Sequence, residues 1–332
     1  MQPTTCLLTG AAGFIGSHLA DRLLAAGHRV IGLDNLLLGT RANLRPALAS
    51  PDFTFLEADV NDFEGNLDRL RALLPPAGLD MVWHLAANSD IRAGTSDPEA
   101  DLRHTFLTTF NVLKLMRALG GRRLAFASSS AIYGDHQALL TEDAGPLQPI
   151  SNYGAMKLAS EGCISAALET FLERAWIFRF PNVVGSRGTH GVIYDLLGKL
   201  RATPAELEVL GDGRQEKPYL HVSELVEAMV FITDRACDRL NVFNIGPDAT
   251  ATTVKYIAES VVRQAAPRAA IRYTGGAKGW PGDVPRFNYS IDKLRRLGWV
   301  PRLTSNQAVD RAVEELAAEQ QRTGGQAGRG PA

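Results

Sequence analysis

The chain is 332 residues long, with 45% apolar and 21% charged residues and a formal net charge of −1. That length can build one large α/β domain or two smaller ones around a substantial core, and the balanced charge gives no general reason to bind nucleic acid or an anionic membrane surface. No apolar run approaches the ~20 residues of a membrane span, the start lacks a secretory signal pattern, and Cys6, Cys163 and Cys237 read as reduced, mostly buried thiols, so the expected location is the cytoplasm.

Short apolar runs alternate with amphipathic stretches through the first half. Strands are predicted at 5–9, 29–34, 53–59, 81–87, 123–129 and 175–180, with helices at 14–26, 66–74, 98–119 and 153–173. This alternation implies parallel crossovers, hence an α/β fold with a doubly wound sheet covered on both faces. Near Pro181 the rhythm changes to Gly- and Pro-rich segments, with short strands at 207–211 and 241–246 and helices at about 222–235 and 252–266. The expected division is a nucleotide-binding unit over 1–180 and a smaller substrate lobe over 181–322, whose strands can interleave with the first unit. The Gly-rich tail 323–332 is expected to be disordered.

The first strand runs straight into TGAAGFIGSH, with Gly10, Gly13, Phe14, Ile15 and Gly16 opening a helix. Glycines there let the backbone approach a pyrophosphate, and the helix N-terminus supplies N–H groups and a partial positive charge. Asp34 ends the second strand, where a carboxylate can accept from the adenosine ribose hydroxyls and repel a 2′-phosphate. Asn35, not arginine, follows, which favours NAD over NADP.

Further on come EADV, WHLAAN, FASSSAIYG, SNYGAMK, RFPNVVG and VLGDG. With the glycine turn in its GxxGxxG spacing, these motifs make the chain similar to the extended short-chain dehydrogenase/reductases, and within them to nucleotide-sugar 4-epimerases of the UDP-galactose 4-epimerase type. The likeness runs over about 300 residues with the motifs in family order. It implies a Rossmann-type sheet with a smaller C-terminal α/β lobe, tightly held NAD, and a homodimer paired through helices 98–119 and 153–173. It places Asp59, Val60, Leu85, Ala86, Ala87 and Ser128 beside the cofactor, and Ser129, Tyr153 and Lys157 as the catalytic set, with Tyr153 and Lys157 also touching NAD. Ser129, Ser130, Tyr153, Asn182, Val192, Lys217, Lys278 and Phe287 are implied at a nucleotide-sugar substrate, a UDP-hexose first of all.

Two stretches, YGAMK (153–157) and YSIDK (289–293), set a tyrosine and a lysine one helical turn apart. A 4-epimerase needs a base for the sugar's 4-hydroxyl proton while hydride leaves C4. Bringing a phenol from a pKa of ~10 to half-ionisation at pH 7 takes roughly 4 kcal/mol. An ammonium ~5 Å away at an effective dielectric of ~20 gives about 3.3 kcal/mol, and the positive nicotinamide is expected to supply the remainder. The pair after the nucleotide motif, Tyr153 and Lys157, is read as chemistry; Tyr289 and Lys293, far down the chain, are read as structural, with Lys293 a solvated charge.

Other features narrow the reaction. His84 and Trp83, in an apolar strand, read as core, and the histidines show no metal-ligand spacing. Dehydratases and decarboxylases of the family carry acids just after the catalytic serine or threonine, where this chain has Ser130 and Ala131, so elimination is disfavoured. Thr105 stands where relatives often have Asn. Lys217 and Trp280, with Lys278 nearby, replace family arginines; lysine neutralises a diphosphate but makes no bidentate fork. Phe287 aligns with a position that gates 2-N-acetyl sugars, and its bulk favours plain glucose and galactose. The competing readings are a nucleotide-sugar reductase with exchangeable NAD(P)H and a non-catalytic NAD-sensing protein on the same fold.

Overall fold

The computed structural model describes residues 4–135, 139–247, 251–276 and 288–327. Its centre is a parallel sheet whose first five strands are β1 (Thr5–Thr9), β2 (Arg29–Asp34), β3 (Phe53–Glu57), β4 (Met81–His84) and β5 (Arg123–Ala127). Strands Arg174–Arg179 and Leu240–Asn244 complete it, in the spatial order Leu240–Asn244, Arg174–Arg179, β5, β4, β1, β2, β3. The order reverses between β1 and β4, which opens a crevice at the carboxyl ends of those strands. Every residue of β1 and β4 is buried, as expected for strands covered on both faces.

Alternation along the strands divides the apolar side chains between two layers. One face carries Leu8, Trp83 and Phe178 against Leu19 and Leu23 of the first helix, α1 (Phe14–Ala25). The other carries Leu7, Phe126 and Ile177 against Val112, Leu115 and Ile164 from the helices Leu107–Leu119 and Asn152–Leu168. A third cluster, with Leu196, Leu207, Ile257 and Val313, forms the core of the smaller lobe.

Of the segments that the sequence reading set in 181–322, helix Val222–Arg235 packs beside α1, and Leu240–Asn244 pairs with Arg174–Arg179 as the edge of the main sheet, the interleaving of strands that reading allowed. Both bury one apolar face on the larger core, a larger gain than the short lobe offers. Helix Ser305–Ala327 continues five residues into the expected disordered tail, because an established amphipathic helix propagates more readily than it nucleates. The cysteines are free thiols, but only Cys6 is buried; Cys163 is half-buried and Cys237 exposed. Among the described residues no helix is long and apolar enough to cross a membrane.

Candidate active site

A cavity of about 880 Å³ opens at the carboxyl ends of the central strands. On one side it is lined by Gly10, Gly13, Phe14, Ile15, Gly16, Asp34, Asn35, Asp59, Val60, Leu85, Ala86 and Ala87. Gly10 has φ +71°, and a Cβ there would lie 2.8 Å from the Ala86 backbone nitrogen; one on Gly16 would lie 1.9 Å from the Gly10 carbonyl oxygen. Only glycine fits either place. α1 then begins without a side-chain cap, leaving its positive end to an anion. This cradle fits a dinucleotide diphosphate.

Asp34 lines the same arm, but its carboxylate already has partners. Oδ2 accepts from the Ala12 N–H at 2.9 Å and Oδ1 from the Leu36 N–H at 2.7 Å. Burial raises its pKa, and the N–H groups of Leu36, Ala12 and Gly13 oppose that rise. Asp34 thus clamps the glycine turn to the end of β2, while each oxygen keeps a lone pair for a ribose hydroxyl. Asp34→Ala is expected to lose cofactor content and NAD-over-NADP preference together. Unchanged content and preference on analysis of the released nucleotide would place the ribose contact elsewhere.

At the centre stand Ser129, Ser130, Tyr153 and Lys157, all lining the cavity. β5 ends at Ala127 and the chain turns into a short 3-10 helix, Ser130–Tyr133, capped by Ser129, whose Oγ accepts from the Ala131 N–H at 3.1 Å. Helix Asn152–Leu168 starts with Ser151 as its cap and sets Tyr153 in the first turn, hydrogen-bonded to Ser129. Lys157, one turn on, is buried; its Nζ donates to the Ala127 carbonyl at 2.6 Å and lies 5.8 Å from the centre of the Tyr153 ring. Burial pushes the Tyr153 phenol up to about 12, with the Ser129 hydrogen bond opposing and Asp101 adding to the rise. Burial also takes the Lys157 amine down to about 7, against the pull of Glu161 and Asp101. The expected lowering of the phenol by Lys157 is therefore outweighed in the protein alone, because desolvation acts on both partners.

Ser128, implied at the cofactor, follows the end of β5, is fully buried and is not part of the cavity lining; its Oγ donates to Glu161 at 2.5 Å. His84 is core as expected: its ring nitrogens meet Thr9 Oγ1 at 2.7 Å and Thr109 Oγ1 at 3.0 Å, and burial, then the Lys157 charge, lower it to about 3. Thr105 sits in one turn of π-helix, Leu102–Phe106, where its Oγ1 accepts from the Asn88 N–H at 3.2 Å. That irregular turn brings His104 and Thr108 to the cavity, which helical spacing alone did not reveal.

The substrate side is lined by Asn182, Val192 and Lys217, joined by Lys199, which the sequence reading missed. Lys199 lies one turn past Asp195 on helix Val192–Ala202, a solvated surface position by pattern; its Nζ instead donates to the Glu208 carbonyl at 3.0 Å. Lys278 and Phe287 lie outside the described residues. The acids lining the cavity among the described residues are Asp34, Asp59, Asp90 and Asp195, none on the turn after Ser129.

One wall is the segment 185–188, held from behind by the C-terminal helix. Glu315 Oε2 accepts from the Ser186 N–H at 2.9 Å and lies 3.2 Å from His221 Nε2; Glu319 accepts from the Arg187 N–H at 3.0 Å. Burial opposes ionisation of Glu315, but the His221 hydrogen bond and charge, then Ser186 and Arg311, hold it down to about 2. A carboxyl depressed in the folded state stabilises it above the unfolded pKa of ~4.3, and that stability disappears as pH falls toward 2. About 3 kcal/mol is at stake. Glu315→Gln should flatten this acid dependence in urea unfolding measured across pH 2–6; an unchanged slope would remove Glu315 from the lock.

A glycine cradle at the switch point, an acid closing the second strand, and a Ser–Tyr–Lys set shared by the turn after β5 and the helix Asn152–Leu168 define a dinucleotide-dependent enzyme of the short-chain dehydrogenase/reductase type. The sequence matches the model of the NAD dependent epimerase/dehydratase family over residues 6–246. The chain belongs to that family, and is an NAD-dependent isomerase. It is 30% identical to a UDP-glucose 4-epimerase of Mycolicibacterium smegmatis, over 93% of this chain and 97% of that one. Among solved structures it resembles a UDP-galactose 4-epimerase with a TM-score of 0.82 and 36% identity, covering 95% of this chain and 99% of that one. It also resembles the Thermus thermophilus UDP-glucose 4-epimerase in complex with NAD, with a TM-score of 0.81 and 28% identity, covering 94% and 98% of the two chains.

Proposed function

We propose that the protein is a nucleotide-sugar 4-epimerase whose substrates are UDP-glucose and UDP-galactose. The observation that carries this reading is the continuity of one cavity past the glycine cradle, the Ser129–Tyr153–Lys157 set and then Asn182 and Lys217. NAD, which the glycine cradle and Asp34 would hold, would supply hydride exchange at C4 and, while oxidised, a positive charge beside the phenol. Tyr153 takes and returns the proton of the 4-hydroxyl, Ser129 shares that oxygen, and Lys157 stabilises the phenolate and binds the nicotinamide ribose. Lys217, with Lys199, offers charge to a diphosphate. Support for plain epimerisation comes from Ala131, which leaves the turn after Ser129 without an acid to remove a C5 proton.

The test is incubation with UDP-, GDP-, CDP- and dTDP-sugars and identification of products by NMR. Inversion at C4 of UDP-glucose without net NADH use is expected. A 4-keto-6-deoxy product, or stoichiometric consumption of NAD(P)H, would overturn the reading. Equal turnover of UDP-N-acetylglucosamine would remove Phe287 as a gate.

Two copies are proposed to pair through the helices within 98–119 and 153–173, with the cytoplasm as the working compartment. The apolar residues of the first of these helices that pattern would offer to such a seam are Leu107, Val112 and Leu115; Leu107 is half-buried, while Val112 and Leu115 are 0% and 1% exposed and belong to the chain's own core. The apolar side chains that face outward are Leu102 and Phe110, at 43% and 47% exposure. Light scattering should show a dimer at micromolar concentration and a monomer for Phe110→Glu; a monomeric parent protein would sink the interface.

A further inference from the structure

Behind the catalytic set lies a buried charged fork that the reaction as described does not use. Glu161 stands one helical turn beyond Lys157. Its Oε1 accepts from Ser128 Oγ at 2.5 Å and from Arg179 Nε at 3.1 Å, and its Oε2 accepts from Arg179 Nη2 at 2.7 Å. Both side chains of the ion pair are under a tenth exposed. Arg179 Nη1 donates onward to Tyr133 Oη at 3.0 Å and to the Glu142 carbonyl at 2.9 Å, and Tyr133 donates to Asn244 at 2.7 Å. One carboxylate thus joins the helix of Tyr153 and Lys157, the strand end beside Ser129, and the strand Arg174–Arg179.

We propose that Glu161, oriented by Arg179 and Ser128, is a positioning residue that keeps Lys157 a cation and holds Ser129 toward Tyr153. Lys157 is taken out of water, and its Nζ donates to the Ala127 carbonyl, a neutral acceptor that favours the ammonium far less than a nearby carboxylate does. The charged or titratable groups around it are few. Tyr153 and Glu161 share its helix, and Asp101 comes from the helix Pro98–Asp101. His84 on β4 is held neutral, and Arg179 is turned toward the far side of Glu161. Glu161 is the largest of the influences that favour the ammonium, ahead of Asp101. Ser128 adds a covalent link, because its hydroxyl is tied to Glu161 while the next residue caps the turn facing the cavity.

This inference rests on the proposed Tyr153–Lys157 chemistry, and its signature differs from a failure of that chemistry. Removing a negative charge lowers the pKa of every group near it. In Glu161→Gln the pH–kcat profile should therefore move to lower pH by about one unit or more, with a reduced maximum and KM changed less than kcat. Glu161→Asp, which keeps the charge, should return the profile toward the parent's. Because Arg179 is left buried and unpaired in Glu161→Gln, the double variant Glu161→Gln/Arg179→Met restores a neutral interior. It should regain thermal stability, and its profile should return part of the way, because losing the Arg179 cation raises the pKa values that losing the Glu161 carboxylate lowered. A second readout needs no turnover: in urea unfolding, the rise of stability with pH assigned to Lys157 by comparison with Lys157→Met should begin at lower pH when Glu161 is Gln. Low activity of Glu161→Gln with the parent's pH profile would make the fork merely structural. If no nucleotide sugar turns over in the parent protein, the reading of the reaction fails instead, and the unfolding comparison still decides the role of Glu161.

Discussion

Tyr153→Phe is expected to fold, retain NAD and lose turnover by ~10²–10⁴-fold or more. The substitution keeps the ring, whose contacts with Lys157 and the cavity wall are apolar or cation–π, and deletes only the oxygen bonded to Ser129. Its size follows from where the phenol starts. Burial, with the Ser129 hydrogen bond opposing and Asp101 adding, holds it near 12, so the phenolate is scarce at neutral pH without a neighbouring cation, and no other hydroxyl with that cation beside it lines the cavity centre among the described residues. Ser129 cannot substitute, since an aliphatic hydroxyl is a far weaker acid than a phenol. NAD content and the unfolding midpoint of the variant separate lost chemistry from lost structure. Activity within tenfold of the parent's, with both substrates assayed across pH 6–10, would move the base elsewhere.

The second tyrosine–lysine pair supplies the contrast. Tyr289 is 9% exposed, pairs edge-on with Tyr133, and donates its hydroxyl to the Arg179 carbonyl. It lies in a short strand, Asn288–Tyr289, beside Leu139–Leu140, and is not itself part of the cavity lining, although its partner Leu140 is. Lys293, read as a solvated charge, lies with its Nζ 4.8 Å from the centre of the Phe243 ring, a packing role that sequence pattern does not reveal. Tyr289→Phe should cost about 1 kcal/mol of stability and change turnover less than about threefold. A dead Tyr289 variant beside an active Tyr153 variant would reverse the assignment.

What was legible in the sequence was local. The strands of the first unit each announce themselves as apolar runs bounded by turn residues, and Gly10 and Gly16 mark backbone approaches that allow no Cβ. What was hidden depends on distant partners. Leu240–Asn244 reads as one more short strand until its neighbour in the main sheet is known. Ser128 and Ser129 are the same residue type in sequence, and only the path of the chain just past β5 sends one to Glu161 and the other to the cavity. The fork of Glu161 and Arg179 joins residues on a helix and a strand that no spacing rule connects. The π-turn at Leu102–Phe106 breaks the very periodicity by which a helix face is read.

Lys157→Met should lower turnover strongly, move the pH–kcat profile upward and weaken NAD retention. The direction follows from the charges. Tyr153 is raised to about 12 and Lys157 brought down to about 7, both chiefly by burial. Taking away the ammonium removes the cation one helical turn from the phenol, so its ionisation needs more alkaline solution. The displacement is opposite to that expected for Glu161→Gln, which removes a negative charge one turn away. Stability should respond in the other sense. Since the native amine binds its proton less tightly than the unfolded one, which titrates near ~10.4, the parent protein should gain stability as pH rises from about 7 toward that value. Lys157→Met should be relatively more stable than the parent at neutral pH and lose this slope, because it no longer buries a charge. A stabilised protein with impaired catalysis is the mark of a residue kept for its charge rather than its packing. If Lys157→Met is instead destabilised with its pH profile unmoved, the lysine serves the fold, and the proton chemistry assigned to this helix has to be rebuilt on another group.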